Sequence, residues 1–299
     1  RWVPASRAAI MHYDAGFILG ATVSEQLRTF DGKLFRLGEH LDRLLASLEL
    51  VGIHPGLSRQ DLESVATQLA SMNHGLLADS DDLGLTIFVT PGPYATLAPA
   101  AATGPVVGLH TYPLPFHLWA DKYEQGESLV VTSIEQVPAG CWPRQLKCRS
   151  RMHYYLADKQ AREIDPGARA LLIDQQGCVT ETATANVLVF RRDEGLVSPP
   201  LGDIFPGISR EMVLELARGL GVRSSERRMA PEEVAAADEV LVTSTPNCLL
   251  PVTRFQNTPL GDGRPGDLYR ELLRAWSKAV DVEIAAQASQ YQSRPERVD

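Results

Sequence analysis

Four cysteines are all that this 299-residue chain contains: Cys141, Cys148, Cys178 and Cys248. No two stand in CxxC spacing and none joins a histidine cluster, so no zinc or other metal site is expected. Few, scattered cysteines in a long chain read as reduced thiols, and a cytoplasmic location follows as an expectation. Long hydrophobic runs are missing too. Nothing approaches the ~20 apolar residues of a membrane span, so no membrane partner is expected. The opening RWVPASRAAIM lacks the continuous apolar core of a signal peptide. Because it begins on Arg1 rather than methionine, further residues are expected upstream. Positive charge is in short supply: 29 Lys and Arg face 37 Asp and Glu, for a formal net charge of −8. Phosphate backbones attract basic faces, so a nucleic-acid partner is not expected. A small anion in a local basic pocket stays compatible with this balance. No internal repeat occurs.

What is present is a globular composition, 44% hydrophobic and 22% charged, with length for one large domain or two ordinary ones. ATVSEQLRTF alternates, turns at DGK and continues as LFRL, a strand-turn-strand pattern. EHLDRLLASLELVG sets Leu41, Leu44, Leu45, Leu48 and Val51 on one helical face. SRQDLESVATQLASMN reads as a second helix with Ser58 at its N-terminus. LGLTIFVT and PVVGLHTY read as buried strands around the exposed loop TPGPYATLAPAAATGP. The second part opens with the strand SLVVTSI and the helix RSRMHYYLADKQARE. ARALLIDQQGCVTE is a hairpin turning at Gln176-Gly177, and NVLVFRR and LVSPP are strands. ISREMVLELARGLG is an amphipathic helix stopped by glycine, EEVAAADEVLVTST a short helix and strand, and PGDLYRELLRAWSKAV a closing helix.

Certain residues stand out for their chemistry. Lys147 sits in PRQLKCRSRMHYY among Arg144, Arg149 and Arg151. Such cations, or desolvation, lower a lysine pKa toward the neutral amine that nucleophilic work requires, although a helix-start lysine is more often merely solvated. Glu181 follows the hairpin and by itself reads as a strand-edge carboxylate. Ile208 and Ser209 open a helix after Pro206-Gly207, so their N–H groups suit an anion. Ser244 and Thr245 end a strand with two hydroxyls. Alternation puts Ser24, Gln26 and Arg28 on one face of their strand and Val23, Glu25 and Leu27 on the other.

Five stretches carry a resemblance in common order: GEHLDRLLASLELVGI, LKCRSRMHYYLADKQA, GARALLIDQQGCVTETATANVLVF, IFPGISREMVLELARGLGV and ADEVLVTSTPNCLLPV. Together they resemble the class IV, fold type IV pyridoxal-phosphate aminotransferases. That family includes branched-chain and D-amino-acid aminotransferases, (R)-selective amine transaminases and aminodeoxychorismate lyase. The resemblance implies an α/β (α+β) fold of two domains with pyridoxal 5'-phosphate at their interface. A small N-terminal domain is expected over 1–125, a large cofactor-binding domain over 126–285 and a flexible tail over 286–299.

By the same resemblance, Lys147 forms the Schiff base with the cofactor and shuttles the proton, and Glu181 pairs with the pyridine nitrogen. Arg43, Ile208, Ser209, Ser244 and Thr245 would hold the phosphate, with Phe205 against the ring. Ser24, Gln26 and Arg28 would line the substrate pocket, Arg28 as a candidate carboxylate binder or else a rim residue in a surface ion pair, with Arg149, Arg151 or a dipolar pocket of backbone N–H groups as the alternatives. The sequence also departs from the family pattern. Pro91 in FVTPG replaces an arginine found in the D-amino-acid enzymes and the lyase. Met152 replaces a tyrosine, for which Tyr154 or Tyr155 is a candidate substitute. The histidines are expected to be surface or structural, with His153 the best placed near the cofactor. The implied activity is ping-pong transfer of an amino group between an amino acid of branched-chain type and a 2-oxo acid, in a homodimer. Alternatives are an aminodeoxychorismate lyase releasing pyruvate and a catalytically silent binding protein on the same fold.

Overall fold

A carboxylate starts the first α-helix. Asp14 accepts the N–H of Gly16 at 2.7 Å and caps α1 (Ala15–Ile18). Strand β1 (Val23–Phe30) then turns through Gly32, whose φ of +73° favours a residue without Cβ, into β2 (Lys33–Leu34). Helix α2 (Leu37–Leu50) follows. Helix α3 (Arg59–His74) begins at a capping box: Ser58 Oγ accepts Asp61 N at 3.1 Å, and Asp61 returns the bond to Ser58 N at 2.9 Å. Strands β3 (Leu83–Thr90) and β4 (Val106–Pro113) complete an antiparallel sheet of order β2-β1-β3-β4.

In this computed structural model, which describes residues 2–99 and 102–292, the chain divides into two compact units. Unit 1 is Arg1–Leu114 with Leu146–Arg151, and unit 2 is Pro115–Gln145 with Met152–Asp299. The core of unit 1 joins Val23 and Leu27 of β1 to Leu41, Leu44 and Leu48 of α2 and Leu62 of α3. The 3.6-residue spacing of the leucines fits the two-residue spacing of the strand. The opposite sheet face is mostly polar, with Ser24, Gln26, Thr86, His110 and Tyr112 around Phe88. For that reason β4, read from its sequence as a buried strand, is largely open: it is an edge strand with His110 exposed.

Unit 2 contains α4 (Lys122–Gln125), β5 (Glu127–Val131), α5 (Met152–Ile164), β6 (Ala168–Ile173), β7 (Val179–Thr182), β8 (Asn186–Arg191) and β9 (Gly195–Ser198). It continues with α6 (Ile208–Gly219), β10 (Ser224–Glu226), α7 (Pro231–Ala235), β11 (Glu239–Ser244), β12 (Cys248–Phe255), β13 (Thr258–Pro259), α8 (Asp267–Val280) and α9 (Ile284–Gln292). Its strands run in the order β10-β9-β8-β11-β12-β5-β6-β7, and β7 also pairs with β8. That last pairing closes a ring of six strands at one residue pair, Glu181 opposite Asn186. Of the expected tail, residues to Gln292 are in α9, and 293–299 lie outside the described residues. Among the described residues no helix is long and apolar enough to cross a membrane.

The helix expected over RSRMHYYLADKQARE starts only at Met152. The residues before it are engaged elsewhere, because 146–149 run antiparallel beside β1. Ser24 N donates to Lys147 O at 2.9 Å, and Arg149 N donates to Thr22 O at 2.8 Å.

Candidate active site

Within unit 1 the chemistry gathers around Lys147. Its backbone is held by Ser24 on one side and by Ser47 on the other, where Lys147 N donates to Oγ at 3.4 Å. Glu25 shares the face of β1 with Val23 and Leu27 and is fully buried, opposite α2. Helix spacing of three places His40 and Arg43 on one side of α2, and both reach Glu25. His40 Nδ1 makes a short hydrogen bond to Oε2, while Arg43 donates from Nε to Oε1 at 3.2 Å and from Nη2 to Oε2 at 2.8 Å. Burial by itself would raise the Glu25 carboxyl, but Arg43, His40 and Lys147 together hold it at about 2. Burial and the neighbouring cations Arg43 and Lys147 push His40 below its ordinary value, against the pull of Glu25.

These charges act on the lysine amine. Burial drives the Lys147 amine down to about 8, with Arg43, Arg151 and Arg149 assisting and Glu25 opposing. An amine in this range exchanges a proton readily near neutrality, which is what a nucleophile and proton carrier requires.

On the opposite face of β1 the residues expected to line a substrate pocket part company. Ser24 is buried, and Gln26 Nε2 donates to the Tyr112 hydroxyl at 2.5 Å. Burial lifts the Tyr112 phenol above its ordinary value, against the Gln26 hydrogen bond and the charge of Arg149. Arg149 also lies within electrostatic range of His110. Arg28, by contrast, is 1% exposed and lies over the Phe30 ring at 4.0 Å. It donates to Thr29 O at 3.0 Å and faces Asp82 at 3.9 Å. Its guanidinium thus already has a buried carboxylate for a partner.

Unit 2 builds a second group of residues around Glu181. The β6–β7 hairpin closes on Asp174, which accepts the N–H groups of Gln176 and Cys178 at 2.9 Å each. Strand β7 then carries Glu181, 5% exposed, to the ring-closing pair with Asn186. Oε1 accepts Gln136 Nε2 at 2.8 Å and the Tyr154 hydroxyl at 2.9 Å. Oε2 accepts Phe205 N at 3.1 Å and Asn186 Nδ2 at 3.3 Å. Asn186 Nδ2 also donates to Phe205 O at 2.9 Å, tying the glutamate to the segment that leads into α6. A Cβ on Gly207 would stand 1.9 Å from Asn186 Oδ1, so this close approach requires glycine. Ile208 and Ser209 open α6 behind Gly207, with no side chain capping the helix. On β11, Thr243 pairs with Asn186, which sets Ser244 and Thr245 next to the same row. Ser244 Oγ donates to Asn247 Oδ1 at 2.8 Å within the turn to β12.

This donor set fits pyridoxal phosphate by its chemistry. A buried carboxylate suits a cationic ring nitrogen, and a helix start with no side-chain cap, together with the two hydroxyls that end β11, suits a phosphate. Among the tyrosine candidates, Tyr154 reaches Glu181, whereas Tyr155 and Met152 are exposed. His153 stacks on Tyr154 with ring centroids 3.8 Å apart. Glu25, His40, Tyr112, Gln136 and Asn186 received no role from the sequence. Gln136 sits in coil and carries no local signal. His40 was assigned with the structural histidines, yet its i, i+3 spacing to Arg43 opposite the acidic Glu25 marks it as part of the cluster.

Among the described residues no group of three or more His, Cys, Asp or Glu side chains is arranged to hold a metal ion. Residues 22–255 match the amino-transferase class IV family. The chain is 29% identical over 293 residues to a D-alanine aminotransferase of Bacillus licheniformis, covering 95% of this chain and 96% of that protein. The branched-chain amino acid aminotransferase of Escherichia coli superposes with a TM-score of 0.83 at 22% identity, covering 92% of this chain and 91% of that one. A branched-chain enzyme of T.th., solved with pyridoxamine 5'-phosphate, gives a TM-score of 0.83 at 22% identity over 97% and 93%.

Proposed function

Since this chain belongs to the amino-transferase class IV family, we propose that it moves an amino group between an amino acid of branched-chain type and a 2-oxo acid. Pyridoxal 5'-phosphate, the cofactor of these enzymes, supplies an aldehyde that captures amines and a ring that accepts the electron pair released at Cα. Lys147 holds the cofactor covalently and carries the proton to and from Cα. The observation that carries the reading is its amine, brought to about 8 beside the Glu25–His40–Arg43 cluster. About a tenth of such amines are neutral at pH 7, far more than for an ordinary lysine.

The other roles follow from donor and acceptor type. Glu181 keeps the ring nitrogen protonated. The first-turn N–H groups of Ile208 and Ser209, with Ser244 and Thr245, hold the phosphate, Arg43 adds to them only alongside its two bonds to Glu25, and Phe205 packs against the ring. Ser24 and Gln26 line the substrate side. Arg149, with Tyr112, takes the substrate carboxylate, a role better suited to it than to Arg28, which is occupied by Asp82. A homodimer in the cytoplasm completes the proposal, and sedimentation analysis would measure the assembly directly.

One test is to mix the holoenzyme with L-amino acids, D-amino acids and primary amines while following the visible spectrum of the cofactor. Branched-chain donors should discharge the aldehyde form fastest, and 2-oxo acids should restore it. Fastest discharge by D-alanine would favour the second reading, a D-amino-acid aminotransferase, which the Bacillus licheniformis relative supports. Release of pyruvate from aminodeoxychorismate with no recovery by any 2-oxo acid would point to a lyase.

A further inference from the structure

Gln136 lies in the coil after β5, within none of the stretches that resemble the family, and is 2% exposed. Its backbone is anchored at both polar atoms. The N–H donates to Ile173 O at 2.8 Å, and the carbonyl accepts Gln175 Nε2 at 2.6 Å. The amide orientation follows from its neighbours. Oε1 accepts Val137 N at 3.0 Å, so Nε2 faces the other way, toward Glu181 Oε1 at 2.8 Å and the Tyr154 hydroxyl at 3.0 Å. Tyr154 packs against the cluster of Val130, Ala157 and Ala170 and donates to the same Oε1 at 2.9 Å. Gln136, Tyr154 and the glutamate oxygen thus form a closed triangle of hydrogen bonds.

A carboxylate is acceptor-only, with about four lone-pair sites. Oε1 holds the two shorter bonds and Oε2 the two longer ones, from Phe205 N and Asn186. The geometry points to Gln136 and Tyr154 as positioning residues: they grip Glu181 through Oε1 and fix the rotation of its carboxylate, so that the plane it presents to a cationic donor is set. This inference rests on the reading that Glu181 serves the cofactor's ring nitrogen. Neither positioning residue needs to touch the reacting atoms. Donors on a buried carboxylate stabilise its charge, and a charged carboxylate in turn keeps a pyridinium protonated.

The experiment uses holoenzyme reconstituted with pyridoxal phosphate labelled with ¹⁵N in the ring. Gln136→Met keeps the length of the side chain without the donor, and Tyr154→Phe keeps the ring. Thermal melting of each holoenzyme checks the fold. In the double variant the ring-nitrogen chemical shift should move from the pyridinium range toward that of neutral pyridine. The kcat should fall roughly tenfold to a hundredfold, the span of a lost hydrogen bond to a charged group, while the amino-acid KM changes far less. Single variants should shift the signal in the same direction by less, and they carry the test should the double variant not fold. A purely structural role would leave the shift unmoved. If Glu181→Gln moves the ring-nitrogen signal and the double variant does not, the clamp is overturned. If Glu181→Gln leaves the signal in place as well, the Glu181 assignment fails first, and the clamp falls with it.

Discussion

Arg43 grips Glu25 at two points, Nε to Oε1 at 3.2 Å and Nη2 to Oε2 at 2.8 Å, with the carboxylate fully buried. A single carboxylate thereby links β1, α2 and the electrostatics of Lys147.

The first consequence concerns acid stability. The Glu25 carboxyl is depressed from 4.5 to about 2, so its contribution is complete above pH 4.5 and is lost as pH falls through about 2. His40, also depressed, acts in the same direction, since the unfolded chain takes up its proton first as the pH drops below 6.5. Urea unfolding of the wild type should therefore show stability falling from about pH 6 downward, by about 3 kcal/mol from Glu25. In Glu25→Gln the limb below pH 4.5 should flatten. An unchanged limb in that variant would place the acid sensitivity elsewhere.

Lys147 should behave oppositely on the alkaline side. A lysine held at about 8 against 10.5 opposes folding below pH 8, and the penalty is relieved as pH rises from about 8 to 10.5. Apo Lys147→Met should be more stable than the wild type at pH 7, with the difference vanishing near pH 10.5. In the wild type, borohydride should fix the cofactor to the protein, and Lys147→Ala should lose that linkage. Persistent covalent labelling of the alanine variant would assign the attachment to another residue.

Two arginines of unit 1, Arg28 on β1 and Arg149 in the segment beside it, should part company on mutation. Arg28→Leu removes a buried cation that stands 3.9 Å from Asp82 and over the Phe30 ring, and should cost about 2 kcal/mol of stability, since Asp82 keeps its bonds from Thr29, Asp31 and Gly32. Arg149→Leu should leave the melting temperature nearly unchanged but raise KM for amino acids and 2-oxo acids, by roughly tenfold or more, while sparing primary amines. Equal loss with amines and amino acids would remove Arg149 from carboxylate binding.

Gly207→Ala tests the entry to α6. The added Cβ meets Asn186 Oδ1, so Asn186 has to move, and Glu181 and Phe205 move with it. Cofactor affinity should fall at least tenfold, measured by fluorescence titration of the apo protein. Affinity equal to the wild type would mean that Asn186 yields without disturbing the helix start.

The elements themselves were legible from the chain, because each depends on neighbours a few residues away. The leucine spacing of EHLDRLLASLEL predicts α2, Ser58 predicts the start of α3, and the DQQG turn predicts the β6–β7 hairpin. The parity of β1 was legible as well: Glu25 keeps company with Val23 and Leu27, and Gln26 lies on the other face. The Gly207–Ile208 helix start carries a local pattern of its own, whereas Lys147 and Glu181 stand out only through the resemblance of the stretches around them.

What periodicity cannot encode is which polar group meets which across the fold. It names a face and leaves the partner open. Register of β1 against β3 and the turn at Gly32 set Arg28 beside Asp82, removing it from the free cations that sequence reasoning counted. Pairing of residues 146–149 with β1 delays α5 to Met152 and brings Lys147 under the influence of Glu25 and Arg43. The path of an irregular segment, held by β6 at Ile173 and by Gln175, brings Gln136 to Glu181 across 45 residues of chain. Coil has no repeating pattern to announce such a contact. Only when the strand ring closes at Glu181 and Asn186 does the buried carboxylate meet the side chain of Asn186 and the N–H of Phe205.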